Sequence, residues 1–263
     1  MYLTDYHTHS RLSPDGFVPL EDMARSALDA GLSELCITDH CDLLGGHGEP
    51  VTGYDWTPAL RQFHETVPEF EGRLKLKLGI EFGSGHLDPD LSASLLARPE
   101  LDFVIGSVHN MSPQAGGTDF YFLEYHTRAD CDAALDNYFD SMDELAKTDY
   151  YDVLGHIIYP LRYMHGLGSM DPYYDRIHEL LRTAAGLGRG IEINTYRGRT
   201  IEEWRPVLER WRDVGGELVT VGSDAHRPEH VGLGVRDAYE LLLDTGFRYV
   251  AVYERRKPVP IKI

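Results

Sequence analysis

Leu218-Val219-Thr220-Val221-Gly222-Ser223-Asp224-Ala225-His226 reads as a short apolar, β-branched strand that stops at Asp-x-His. On a pleat, residues two apart point the same way, so Asp224 and His226 set a hard oxygen donor and an imidazole side by side at the strand's mouth. That pairing is a way to build a metal site on a sheet.

Working outward, the pattern recurs. Leu3 to His9 is a strand ending in His7-Thr8-His9, and Leu35 to His40 one ending in Asp39-His40. Lys77 to Glu81 ends in a glutamate, Phe103 to His109 in a histidine, and Asp152 to His156 in another. Between these strands the spacing predicts helices near Pro19–Ala30, Thr57–Phe70, Asp130–Ala146, Pro172–Leu187, Ile201–Val214 and Val235–Thr245. A further strand is expected at Gly190–Thr195, and a last one at Tyr249–Tyr253 before the basic tail Glu254-Arg255-Arg256-Lys257-Pro258. Two long loops, Asp42–Tyr54 and Asn110–Thr127, leave ligand-bearing strand ends. Alternating βα units imply parallel pairing with right-handed crossovers, and ligands gathered at strand C-terminal ends point to a barrel rather than an open sheet.

The 263 residues are 42% hydrophobic and 26% charged, enough to bury a large core in one domain spanning 1–263. Lysine and arginine number 25 against 43 acids, a formal −18, which argues against nucleic acid as a partner. No apolar run approaches the ~18 residues of a membrane span and no leader is evident, so a cytoplasmic location is expected. Cys36, Cys41 and Cys131 form no CxxC pair, so a disulfide framework is not expected.

Imidazoles mixed with carboxylates, without thiolates, suit Zn²⁺, Mn²⁺ or Fe²⁺. The ligands are too many for one ion. A multinuclear site serves phosphoryl ester hydrolysis, and amidohydrolase chemistry uses the same kind of barrel, so both stay open on residue types alone.

Asp5-Tyr6-His7-Thr8-His9-Ser10, Ile37-Thr38-Asp39-His40, Gly79-Ile80-Glu81, Gly106-Ser107-Val108-His109, Gly155-His156 and Gly222-Ser223-Asp224-Ala225-His226 resemble the successive motifs of the polymerase and histidinol phosphatase (PHP) superfamily. Within it the chain is most similar to the histidinol-phosphate phosphatases, through Glu192-Ile193-Asn194-Thr195, Gly246-Phe247-Arg248-Tyr249 and Arg256-Lys257-Pro258. The resemblance implies an α/β fold, a distorted (β/α)7 TIM-like barrel, with three divalent ions (zinc, manganese or iron) at the strands' C-terminal ends. It assigns one ion to His7, His9, Glu81 and Asp224, a second to Glu81, His109 and His156, and a third to Asp15, His40 and His226. It implies hydrolysis of a small-molecule phosphate monoester, L-histidinol phosphate, by a hydroxide bridging two ions. The alternatives are another small phosphate ester, such as a sugar phosphate or nucleotide, or a metal-binding protein without activity.

Arg162, after the strand ending in His156, and Arg197 or Arg199, after the Gly190–Thr195 strand, are the expected phosphate clamp, since a guanidinium fork gives two parallel donors to phosphoryl oxygens. An acid in the long loops should face the substrate amine, with Asp42, Asp119 and Glu124 as candidates. Asp39 points away from its neighbouring ligand and reads as a supporting residue. His47, His64, His86, His126, His165, His178 and His230 read as surface or loop residues, and Cys36 and Cys41 as fillers rather than nucleophiles.

Overall fold

The computed structural model describes residues 1–263. In chain order its main elements are β1 (Thr4–Asp5), α1 (Leu20–Asp29), β2 (Glu34–Ile37), β3 (His40–Asp42), α2 (Trp56–Phe70), β4 (Lys75–Gly83), α3 (Pro89–Leu96), β5 (Phe103–Ser107) and α4 (Arg128–Ala146). They continue as β6 (Val153–Leu154), α5 (Tyr174–Gly186), β7 (Gly190–Asn194), α6 (Arg205–Asp213), β8 (Val219–Gly222), α7 (Val235–Asp244), β9 (Tyr249–Glu254) and β10 (Lys257–Lys262). Parallel strands in the order β1-β2-β4-β5-β6-β7-β8 make a nearly closed barrel, and β3 extends β2 along β4.

Local chemistry sets the helices. In α1, Leu20, Met23, Ala24 and Ala27 fall at the i, i+3, i+4, i+7 spacing that makes one buried face. Gly31, at φ 73°, ends it, and the Leu32 N–H turns back 2.9 Å to the Ala27 carbonyl, a geometry that favours glycine. Thr127 and Asp130 cap α4 reciprocally, each side chain accepting the other's backbone N–H.

The barrel closes between its first and last strands. The Tyr6 N–H donates to the Val221 carbonyl and the Asp224 N–H to the His7 carbonyl, both at 2.9 Å. Asp5 fastens the seam: its buried carboxylate accepts the Ser223 hydroxyl at 2.5 Å and the Ser223 and Gly232 amides at 2.9 Å. Replacing Asp5 with alanine strands these donors in the core, a loss of about 3–5 kcal/mol. Thermal unfolding should read it as a melting point roughly 10 °C lower, and an unchanged melting point would show that closure does not depend on Asp5.

At the other end the barrel has a floor. Tyr6, Cys36, Phe103, Ile105 and Val153 meet inside it, and Ala251, Val252 and Tyr253 of β9 close on them. The β9–β10 hairpin is pinned there by the Arg255 amide on Asp102 at 3.0 Å and by the Arg256 guanidinium on Asp152 at 3.0–3.1 Å. Asp102 and Asp152 immediately precede β5 and β6, which places the hairpin opposite the ligand-bearing ends.

Three elements differ from expectation. The tail after Tyr253 is a strand, although Pro258 and Pro260 argue against one. β10 pairs only with β9, and prolines two apart both fall where no N–H is asked of an edge strand. The helix α3 has its own cap, Asp88, accepting the Leu91 N–H at 3.0 Å. The second strand breaks at Thr38-Asp39 because both side chains turn to the loop after β1, accepting the Thr8 and Ser10 amides at 3.1 and 2.6 Å.

Candidate metal centre

The strand ends bring their polar side chains to one point. His7 and His9 follow β1, His40 opens β3, Glu81 lies in β4, His109 and His156 follow β5 and β6, and Asp224 and His226 follow β8. Of these, His7, His9, Glu81, His109, His156 and Asp224 are buried.

Glu81 is the hub. Its Oε2 lies 3.0 Å from His7 Nε2 and 3.4 Å from His9 Nε2, and those two nitrogens are 3.7 and 3.6 Å from Asp224 Oδ1. Its Oε1 lies 2.9 Å from His109 Nε2 and 2.6 Å from His156 Nε2, which are 3.2 Å apart. One carboxylate thus joins two clusters. Donors that share a tetrahedral ion at ~2.1 Å stand about 3.4 Å apart, so the 3.0–3.7 Å spacings of the first cluster are close to the edges of a coordination shell, while the 2.6–3.2 Å spacings of the second are tighter and would open around an ion. A third cluster lies outward: His9, His40 and His226 bring ring nitrogens within 4.8 Å of one another, and Asp15 reaches His226 Nε2 at 2.9 Å and His40 Nε2 at 3.7 Å.

Supporting groups decide which ring nitrogen faces the centre. His7 Nδ1–H donates to Glu192 Oε1 at 2.6 Å, His109 Nδ1–H to Asp42 Oδ1 at 3.0 Å, and His226 Nδ1–H to the Asp224 carbonyl at 3.0 Å. Ser13 spends its one hydroxyl proton on Asp39 at 2.8 Å, so it accepts from His9 Nδ1–H at 3.0 Å. In each case the Nε2 lone pair is turned to the cluster, the arrangement that suits a metal-ligating histidine. The Nε2 atoms of His7, His9 and His226 are buried without a hydrogen-bond partner. A cation satisfies such atoms, and the donor set fits zinc, manganese or iron.

The field in the centre is negative. Burial pulls the His7 and His109 imidazoles down, yet Glu192 and Glu81 for His7, and Glu81 and Asp42 for His109, raise both well above the usual range. His9 goes the other way, to about 3, through burial and its neighbours His226 and His40. Burial raises the Asp224 carboxyl, but Arg162 and His7 outweigh it and hold it well below the carboxylate range. Asp224 also sits at φ 59°, a left-handed conformation that aspartate tolerates at a cost of about 1–2 kcal/mol and that sets its side chain at the strand mouth.

A cavity of about 720 Å³ opens onto these residues. Its wall is aromatic, with Tyr54, Tyr121, Phe122, Tyr159, Tyr163 and Tyr196, and carries Arg162, Arg197 and Arg227. The Arg162 side chain is 7% exposed and donates to Asp224 Oδ2 at 2.6 Å and Asn194 Oδ1 at 2.7 Å, with its guanidinium 4.3 Å from the Tyr196 ring centre.

The model of the PHP domain matches residues 5–196. The chain belongs to the PHP family. A PHP relative from Deinococcus radiodurans, named "Probable histidinol-phosphatase", is 30% identical over 97% of this chain and 98% of its own. The histidinol-phosphatase of Lactococcus lactis is 26% identical over 96% and 95%. The crystal structure of the L. lactis histidinol phosphate phosphatase, complexed with zinc, L-histidinol and phosphate, superposes with a TM-score of 0.83, covering 98% of each chain at 24% identity, and so shares the fold.

On this PHP scaffold the predicted residues separate. Arg162, Arg197 and Asp119 line the cavity, whereas Arg199 does not. Asp42 also lines it but is not free to meet an amine: its two oxygens face His109 at 3.0 Å and His40 at 3.2 Å. Glu124 is 82% exposed, pairs with His126 at 3.0 Å and lies outside the cavity. His230, expected on the surface, lines the cavity wall. Glu192 and Asn194, which the sequence reading does not assign as ligand supports, hold His7 and Asp224, and their signal in the sequence is an acid and an amide two apart at a strand's end. Burial raises the Cys41 thiol, which gives it no thiolate to attack with.

Proposed function

We propose that this chain is a metal-dependent phosphomonoesterase that hydrolyses L-histidinol phosphate to L-histidinol and phosphate. The observation that carries the reading is Glu81, whose two oxygens serve two histidine clusters at the base of one cavity. His7, His9, Glu81 and Asp224 would hold one ion, Glu81, His109 and His156 a second, and Asp15, His40 and His226 a third. When bound, zinc, manganese or iron ions supply an activated hydroxide and neutralise charge on the phosphoryl oxygens.

The chain's own side chains do the rest. Arg162 and Arg197 hold the phosphoryl oxygens with paired donors. The tyrosines of the wall give the imidazole ring an aromatic surface and exclude water around the ester. Names and contents of the relatives agree with that substrate: two carry the name histidinol-phosphatase, and the L. lactis structure holds L-histidinol and phosphate. Phosphate release from L-histidinol phosphate by the metal-loaded protein, set against sugar phosphates and nucleotides, tests the reading. A clear preference for one of those competitors would overturn it.

Asp119 is the acid we assign to the substrate's ammonium group. It lines the cavity, and its Oδ1 is positioned by the Tyr121 N–H at 2.7 Å and the Tyr159 hydroxyl at 3.3 Å. Asp119→Asn removes a charged hydrogen bond of about 1.5–3 kcal/mol, so kcat/KM for L-histidinol phosphate should fall roughly 10- to 100-fold. Hydrolysis of a phosphate ester lacking an amine should be unaffected. An equal loss on both esters would remove Asp119 from this role.

A further inference from the structure

A phosphate dianion approaching this protein meets a chain of formal charge −18. Against that background the cavity's mouth carries unpaired cations. Arg162 is ion-paired with Asp224, but Arg197, Arg199 and Arg227 have no carboxylate within 4.0 Å. His230 stands among them: burial and then the charges of Arg197, Arg227 and Arg199 depress its basicity, with Glu229 opposing.

The outermost of these cations is held rather than loose. Arg227 is exposed and lays its guanidinium 3.9 Å from the ring centre of Phe17, itself 59% exposed. A face-on cation–π contact of this kind fixes the plane of the fork while leaving its edge donors free. Further in, Tyr196, Arg197 and Gly198 are three successive left-handed residues (φ 45°, 60° and 78°), secured by the Arg197 N–H on the Ser223 carbonyl at 2.9 Å. That turn puts the guanidiniums of Arg162, Arg197 and Arg199 at 4.3, 4.6 and 5.4 Å from one ring, Tyr196. Positive charge therefore runs stepwise from the solvent, at Arg227, to Arg162 beside Asp224. Asp15 also lines the cavity and faces His226 Nε2 at 2.9 Å.

We propose that Arg227, with His230, forms an outer anion-binding site at the mouth of the metal cavity, which takes a phosphate dianion before it reaches, or after it leaves, the metal ligands. The inference rests on the phosphomonoesterase reading for its two sources, the incoming ester and the departing inorganic phosphate. Its geometry is separate from the metal centre. Arg227 binds substrate and transition state alike, so it acts on kcat/KM and not on kcat.

Two measurements on the metal-loaded protein test it. In steady-state kinetics against KCl concentration, Arg227→Ser should leave kcat within about twofold and lower kcat/KM about three- to tenfold at low salt, with the deficit closing as salt screens the mouth. In calorimetric titration with inorganic phosphate alone, the same variant should bind several-fold more weakly. Arg227→Lys should keep most of both, and Phe17→Leu, which removes the platform, should reproduce part of the loss. Salt profiles parallel to wild type, an unchanged phosphate affinity, or a fall confined to kcat would each overturn the proposal. If the wild type fails to release phosphate from L-histidinol phosphate, the substrate reading falls while the phosphate titration still decides the outer site.

Discussion

Stripping divalent ions from this protein with a chelator should abolish phosphate release from L-histidinol phosphate, and Mn²⁺ or Zn²⁺ should restore it. The loss should exceed about a thousandfold, because bringing the pKa of water from about 15.7 toward 7 has no substitute among these side chains. Full activity in metal-free protein would rule the mechanism out. The geometry adds a stoichiometric signature. Asp224 serves one cluster, so Asp224→Ala should cost activity and about one ion per chain. Glu81 serves two, so Glu81→Gln should cost about two, as elemental analysis of the purified variants would read. His178, on the exposed face of α5 with its ring 2.9 Å from Arg182, is the control, and His178→Ala should change neither quantity.

Arg162→Met should slow turnover roughly 30- to 1000-fold at saturating metal. A guanidinium whose contact strengthens as charge builds on the phosphoryl group contributes about 2–4 kcal/mol to the transition state. Saturating metal matters here, since Arg162 also neutralises Asp224 at 2.6 Å and its loss weakens that ligand's environment. Arg197→Met should behave similarly, because Arg197 lines the cavity, while Arg199→Met should stay within about threefold of wild type because Arg199 does not. Near-wild-type kcat/KM in both Arg162→Met and Arg197→Met would eliminate the clamp.

Much of this was readable from residue order. Strand-end histidines and acids announced themselves by period and position, since a βα alternation with ligands at one end has few folds to choose from. Asp39 was read as a support, and it acts through Ser13 on His9. What could not be read depended on direction in space. Asp42 sits two residues beyond a ligand, and only the pairing of β3 with β4 shows that its carboxylate is committed to His40 and His109. Arg197 and Arg199 are equivalent in spacing, and three left-handed residues decide which one enters the cavity. Pro258 and Pro260 concealed β10 because an edge strand is defined by what it lacks, a neighbour, and no local pattern reports that.

The seam between β1 and β8 also sets a timetable. Asp5 and Ser223, which join across it, are 218 residues apart in the chain. At ~5–20 residues per second a ribosome needs roughly 10–45 s to deliver the second after the first. His7 and His9 therefore wait for Asp224 and His226, and two of the three clusters stay incomplete until the last strand of the barrel emerges. The cluster of Glu81, His109 and His156 needs nothing beyond residue 156, so in the nascent chain its ligands are all synthesised first.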